Sequence, residues 1–186
     1  KKAIDEIVKE NKPVVFVSGH FANYELMSME LTRANIKLAT IYRPLNNIFL
    51  NPFMEYLRKS FVCKNQIKKG LNGVKESLEY MKNGYSVALM VDQRVSEGPR
   101  ISFFNGMAHT TTLPAQLSSR FNCDIVPIYI SRDENDKFEM EILSPINILE
   151  SEKKNKELIM KKINNIIEKL ILRDPGQWIL THNRWK

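Results

Sequence analysis

The sequence predicts an α/β fold: a mostly parallel central sheet flanked by helices on both faces. Three observations carry that expectation. Runs such as "VVFVSG" and "YSVALMVD" are apolar throughout and rich in β-branched residues, the pattern of strands buried on both faces. Segments with apolar residues at helical spacing alternate with them. The chain has 186 residues, 43% of them hydrophobic, enough to bury a core without disulfide or metal staples.

The elements follow in order. "KKAIDEIVKENKP" sets Ile4, Ile7 and Val8 at helical spacing, and Asn11 and Pro13 break the pattern before the strand "VVFVSG". Asn23 to Ala34 reads as a helix through Leu26, Met27, Glu30 and Leu31, followed by the strand "IKLATIYRP", which Pro44 stops. A helix is expected in "NPFMEYLRKSF". Another is expected in "GLNGVKESLEYMKNG", with Leu71, Val74, Leu78 and Met81 on one face and Gly84 at its end. "YSVALMVD" is the next strand, "GPRISFFNG" a glycine-bounded aromatic loop or short strand, and "TTLPAQLSSRFN" a helix. "CDIVPIYISR" and "KFEMEIL", joined by "DENDK", read as a hairpin at a sheet edge. The last helix carries Leu158, Ile159, Ile163, Ile166, Ile167 and Leu170 on one stripe, opposite a lysine-rich face, with a serine-to-glutamate capping box expected at its start. Residues 1–186 read as one domain. The chain opens on Lys1 rather than Met, which leaves room for an upstream segment such as a membrane anchor.

Composition narrows the function. Cys63 and Cys123 form no CxxC pair, which argues against a zinc ribbon or a disulfide framework. No apolar run approaches the length of a membrane span, and no signal peptide opens the chain. Lys and Arg number 28 against 21 Asp and Glu, a net charge of +7, which favours acidic partners: nucleic acid, anionic lipid or an acidic carrier protein. No RNP pattern, zinc finger or helix-turn-helix signature accompanies the charge, so nucleic acid is not the expected partner. GxGxxG and GxxxxGK[ST] are both absent, and His109 and His182 show no metal-ligand spacing with His20. No metal is expected.

Parallel sheets bind ligands beyond the C-terminal ends of their strands, where Gly19, His20 and Asp92 fall. A histidine there stands on rigid scaffold and faces a cleft, as a base for a substrate hydroxyl must. Glu25 is the nearest carboxylate in sequence. Five residues of regular helix turn about 500°, leaving the two side chains about 140° apart, so His20 is expected in a turn before the helix, eased by Gly19. Glu25 accepting from one ring nitrogen would make the other the proton acceptor. With GxSxG absent, the chemistry fits an alcohol that arrives with the substrate. The plainer reading is a histidine ending a strand and a glutamate favoured by a helix dipole. Spacing alone does not choose.

"GHFANYE", "YRP", "VDQR", "FFNG" with its threonine run, "VPIYI" and "WILTHNRWK" follow one another in an order that resembles the bacterial lipid A biosynthesis acyltransferase family across nearly the whole chain. That family is similar to the glycerolipid acyltransferases, whose HxxxxD/E motif matches His20 and Glu25 here. The resemblance implies transfer of a fatty acyl chain from acyl carrier protein, or coenzyme A, to a hydroxyl of a phosphorylated glycolipid. The work would be done at the anionic cytoplasmic face of the bacterial inner membrane, by a peripheral protein or one anchored by a segment upstream. It implies no cofactor and no acyl-enzyme. His20 and Glu25 would be catalytic. Asn23 of "GHFANYE", Arg43, Arg58, Asp92, Gln93, Arg94, Phe103, Phe104 and Gly106 would bind substrate: Arg43 and Arg58 on a phosphate or the oxyanion, Asp92, Gln93 and Arg94 shaping the acceptor site or supporting the dyad, and the phenylalanines walling an acyl channel. His182, Arg184 and Trp185 belong to the terminal motif. Asn105 within "FFNG", the missing second arginine and glycine in "RKSFV", and Asn183 depart from the pattern and bear on acceptor identity. The competing reading is a noncatalytic basic module that binds anionic membrane through the lysine-rich last helix.

Overall fold

The computed structural model describes residues 2–10, 12–181 and 183–186. Asn11 and His182, both singled out above, lie outside the described residues. The elements in chain order are α1 (Lys2–Glu10), β1 (Val15–Ser18), α2 (Glu25–Arg33), β2 (Leu38–Tyr42), α3 (Leu50–Leu57), β3 (Asn65–Lys68), α4 (Leu71–Lys82), β4 (Ser86–Met90), β5 (Arg100–Phe103), β6 (Gly106–His109), α5 (Leu113–Phe121), β7 (Ile125–Arg132), β8 (Phe138–Ile142) and α6 (Lys156–Arg173). Six strands form the main sheet in the order β3-β2-β4-β1-β7-β8, and β5 and β6 form a separate hairpin. All main-sheet pairings are parallel except β7 with β8, the expected edge hairpin.

The period-two alternation of β1 divides the core. Val15 and Val17 join Val87, Leu89 and Ile125 under α5 and α6, while Phe16 turns to the other face with Val126 and Ile128, beneath Met27 and Leu31 of α2. Each such buried side chain is worth about 1.5–3 kcal/mol, and both faces need a helical cover. Ile4 and Ile7 of α1 pack on the α2 side.

Four local expectations are corrected. β3, "NQIK", lies at the sheet edge with only Ile67 fully buried, so it carries no apolar run to announce it. "GPRISFFNG" continues into "MAH" as the β5–β6 hairpin. α4 buries Gly73, Ser77 and Met81, which turns Leu71 outward to 88% exposure. The N-cap of α6 is Asn155, whose Oδ1 accepts from Leu158 N at 3.0 Å, whereas Ser151 sits in a separate 3-10 turn, Glu150–Glu152. Among the described residues no helix is long and apolar enough to cross a membrane.

Candidate active site

β1 and β4 are parallel neighbours in a register that sets Ser18 opposite Met90. Two residues further on, the same register brings His20 opposite Asp92, just beyond both strands. The His20 Nδ1–H donates to Asp92 Oδ1 at 2.7 Å, and the His20 backbone N–H donates to Oδ2 at 2.9 Å. The Trp178 indole N–H also donates to Oδ2, at 2.9 Å. Burial by itself pushes the Asp92 carboxyl up, but these donors outweigh it and hold the group below the usual carboxylate range. Asp92 is therefore a buried anion fixed by three hydrogen bonds, which makes Nδ1 the protonated nitrogen and leaves the lone pair on Nε2. The Gln93 amide N–H points at that lone pair from 3.1 Å.

The ring-orienting partner is thus Asp92, not Glu25, which corrects the dyad expected from sequence. Glu25 opens α2 and turns to the helical turn Arg58–Val62 that continues α3; Arg58 Nε and Nη2 both donate to its Oε1, at 2.9 and 2.8 Å. The Arg58 guanidinium lies 5.6 Å from the centre of the Tyr42 ring, and its Nη1 is buried without a hydrogen-bond partner. His20 and Glu25 nonetheless line one cavity of about 690 Å³. Its apolar wall includes Ile41, Val62, Val74, Leu89, Met90 and Leu113, and Arg43, Arg58, Lys69 and Gln93 supply its polar side. The Lys69 amine is pushed down, first by desolvation and then by Arg43 and Arg184, the mark of crowded positive charge.

Of the other site residues expected from sequence, Arg43, Arg58 and Gln93 line the cavity, and Asp92 stands behind His20. Asn23 is exposed outside the lining, and its carbonyl accepts from Leu26 N at the start of α2. Arg94, Phe103, Phe104 and Gly106 also lie outside the lining. Phe103 is fully buried, beneath the Arg184 guanidinium at 4.8 Å and beside the rings of Trp178 and Trp185. A Cβ on Gly106 would stand 2.8 Å from Trp185 Cδ1. The aromatic-glycine motif therefore seats the C-terminal segment and does not line this cavity. Gly19 likewise serves a close approach, since a Cβ there would stand 2.8 Å from the Phe21 ring, and the left-handed residue of the turn is Ala22 at φ 43°.

Sequence reasoning assigned no part in the site to Trp178 or to the backbone around it. Ile179 N donates to the His20 carbonyl at 2.8 Å, and Ala22 N donates to the Gln177 carbonyl at 2.8 Å. Arg184 is fully buried; its Nη1 donates to the carbonyls of Gln93 and His109, and its Nη2 to Thr110 Oγ1. Burial lowers its pKa to about 10, with Asp92 opposing. The terminal motif thus closes over the loops that carry His20 and Asp92. A tryptophan and an arginine in one short terminal run were the only signal available.

No curated protein matches the chain. The family model for bacterial lipid A biosynthesis acyltransferase matches residues 1–186. With a histidine held by a buried aspartate at the end of a parallel strand and a largely apolar cavity before it, the chain belongs to the bacterial lipid A biosynthesis acyltransferase family and is an acyltransferase.

Proposed function

We propose that this acyltransferase moves a fatty acyl chain from a thioester of acyl carrier protein or coenzyme A to a hydroxyl of a lipid A precursor or related phosphorylated glycolipid, with His20 Nε2 as general base. The observation that carries the proposal is the hydrogen bond from His20 Nδ1–H to the buried Asp92, which leaves Nε2 unprotonated on a ring that lines a largely apolar cavity. The acceptor hydroxyl displaces the Gln93 amide from Nε2 and gives up its proton there. Its oxygen attacks the thioester carbonyl, and the carbon–sulfur bond breaks as the tetrahedral oxyanion collapses. The leaving thiolate takes the proton back from the imidazolium, which Asp92 stabilises meanwhile. The displaced Gln93 amide and the Arg58 guanidinium, both lining the cavity, are our candidate donors to the oxyanion. Arg43 and Lys69 suit a phosphate of the acceptor or donor. We place the protein at the anionic cytoplasmic face of the inner membrane, with residues 1–186 forming one catalytic domain.

The test offers acyl carrier protein and coenzyme A thioesters together with lipid A precursors, simpler glycolipids and ornithine-type acceptors, and reads the products by mass spectrometry. One acylated glycolipid is expected from the wild type. His20→Ala is expected to lose about a thousandfold or more in turnover with its fold intact. Unchanged turnover in that variant rejects His20 as the base.

A further inference from the structure

Helix α3 is built inside out. On a helical projection Phe49, Leu50, Phe53 and Tyr56 fall within an arc of about 120°, and Asn51, Glu55 and Arg58 fall opposite. An ordinary surface helix turns its apolar arc to the core. Here the polar arc faces the protein: Asn51 Oδ1 accepts from Leu45 N at 2.8 Å, Asn51 Nδ2 donates to Glu55 Oε1 at 2.8 Å, Lys68 Nζ lies 3.2 Å from that same oxygen, and Arg58 holds Glu25. The apolar arc faces solvent, with Phe49 87%, Tyr56 64% and Phe53 56% exposed, and Ile48 and Phe61 beside it are 74% and 67% exposed. No residue of α3 is buried. A contiguous aromatic face of this kind marks an interaction surface.

We infer that this face inserts into an anionic phospholipid bilayer and sets the cavity mouth against it. Charge and position identify the occupant. Lys59, in the turn that continues α3, and Lys64 just after it are both exposed and match anionic headgroups. The same charges, on a chain of net charge +7, repel a second copy across the patch. An acidic carrier protein satisfies the lysines but leaves exposed phenyl rings without an apolar partner. Arg58 and Val62, in the turn that continues α3, and the exposed Leu45 and Leu71 line the cavity, so a bilayer against α3 meets its mouth. The surface differs from the lysine-rich face of α6, whose apolar stripe is buried in the core. The inference rests on the cavity as a lipid-acceptor site for its account of the mouth, whereas the docking face stands on exposure and charge.

The experiment floats the protein with vesicles of phosphatidylethanolamine containing phosphatidylglycerol and compares the wild type with F49S/F53S/F61S, three positions outside the cavity lining. Each inserted phenyl ring contributes about tenfold to partitioning, so the triple variant is expected to lose at least about a hundredfold in vesicle binding. Acylation of acceptor embedded in vesicles falls with it, while acylation of detergent-dispersed acceptor is unchanged. A triple variant that floats like the wild type overturns the inference. So does a wild-type dimer that the triple substitution converts to monomer in light scattering, or a loss of carrier-protein affinity in place of vesicle affinity. His20→Ala is expected to float normally. If flotation depends on the three phenylalanines while no acceptor is acylated by the wild type, the docking face holds and the catalytic proposal fails.

Discussion

Replacing Asp92 by asparagine tests the central geometry, because the new amide has two ways to sit and the structure decides between them. The carboxylate accepts from His20 Nδ1–H on Oδ1 and from His20 N–H and Trp178 Nε1–H on Oδ2. If the asparagine oxygen takes the Oδ1 place, its NH2 confronts two buried N–H donors, leaving both unsatisfied at about 1–3 kcal/mol each. If the oxygen takes the Oδ2 place, both donors are kept and the NH2 meets Nδ1. The second arrangement wins. It forces Nδ1 to accept and moves the ring proton to Nε2, the atom required to be bare. A wrong tautomer of this kind lowers turnover by about 10³- to 10⁴-fold, equivalent to about 4–5.5 kcal/mol in the barrier. Steady-state acyl transfer with the acceptor identified by mass spectrometry measures it, with KM expected to hold and kcat to fall. Glu25→Gln is the companion variant. Glu25 accepts from Arg58 and not from the ring, so its loss is expected to be smaller. Asp92→Asn within tenfold of the wild type, or a larger loss at Glu25 than at Asp92, refutes the assignment.

Two further outcomes concern stability. Gly106→Ala forces a methyl to within 2.8 Å of Trp185 Cδ1, and the overpacking is expected to cost about 1–3 kcal/mol, read as a fall in Tm of roughly 2–4 °C per kcal/mol by calorimetry. An unchanged Tm would show that the terminal segment lies loosely on the β5–β6 hairpin. Glu55 has its carboxyl lowered from about 4.5 to about 2, first by the Tyr42 hydroxyl and then by Asn51, with Lys68 adding to the effect. A depressed carboxyl contributes stability that is fully present above its ordinary value and is lost as pH falls from about 4.5 toward about 2. The urea midpoint of the wild type is therefore expected to drop more between neutral pH and roughly pH 3 than that of Glu55→Gln. Equal drops would remove Glu55 from the acid response.

The buried strands and the strand-end histidine were legible because each depends on a local pattern: an apolar run, then a glycine and a polar side chain. The histidine's partner was not. Glu25 is five positions away and Asp92 is seventy-two, yet a parallel register makes the distant residue the neighbour, and register between strands leaves no mark in local spacing. β3 escaped notice for a related reason, since a polar edge strand of four residues has no periodicity to display. The motif "FFNG" was visible and its role was not, because Phe103 and Gly106 act on Trp178, Arg184 and Trp185 at the far end of the chain. The helix at "NPFMEYL" was predicted, but a projection shows an apolar arc without saying which side the protein lies on. Only the inward bonds of Asn51, Glu55 and Arg58 decide that.

The placement of the terminal motif follows from what a strand-end site lacks. Beyond the last rung of a parallel sheet the backbone loses its ladder partners, and the polar groups there need others. The His20 carbonyl, the Gln93 carbonyl and the Asp92 carboxylate are such groups, and three different residues of the C-terminal segment supply the donors: Ile179, Arg184 and Trp178. Because these donors come from one strap, the positions of His20, Asp92 and Gln93 are coupled through it. The strap is held in turn by the rings of Phe103, Trp178 and Trp185, and the fully buried Arg184 gives its Nη hydrogens to carbonyls and a hydroxyl rather than to a carboxylate. An ion pair at Arg184 would draw Asp92 or another anion out of place. Neutral acceptors fix the arginine without competing for Asp92.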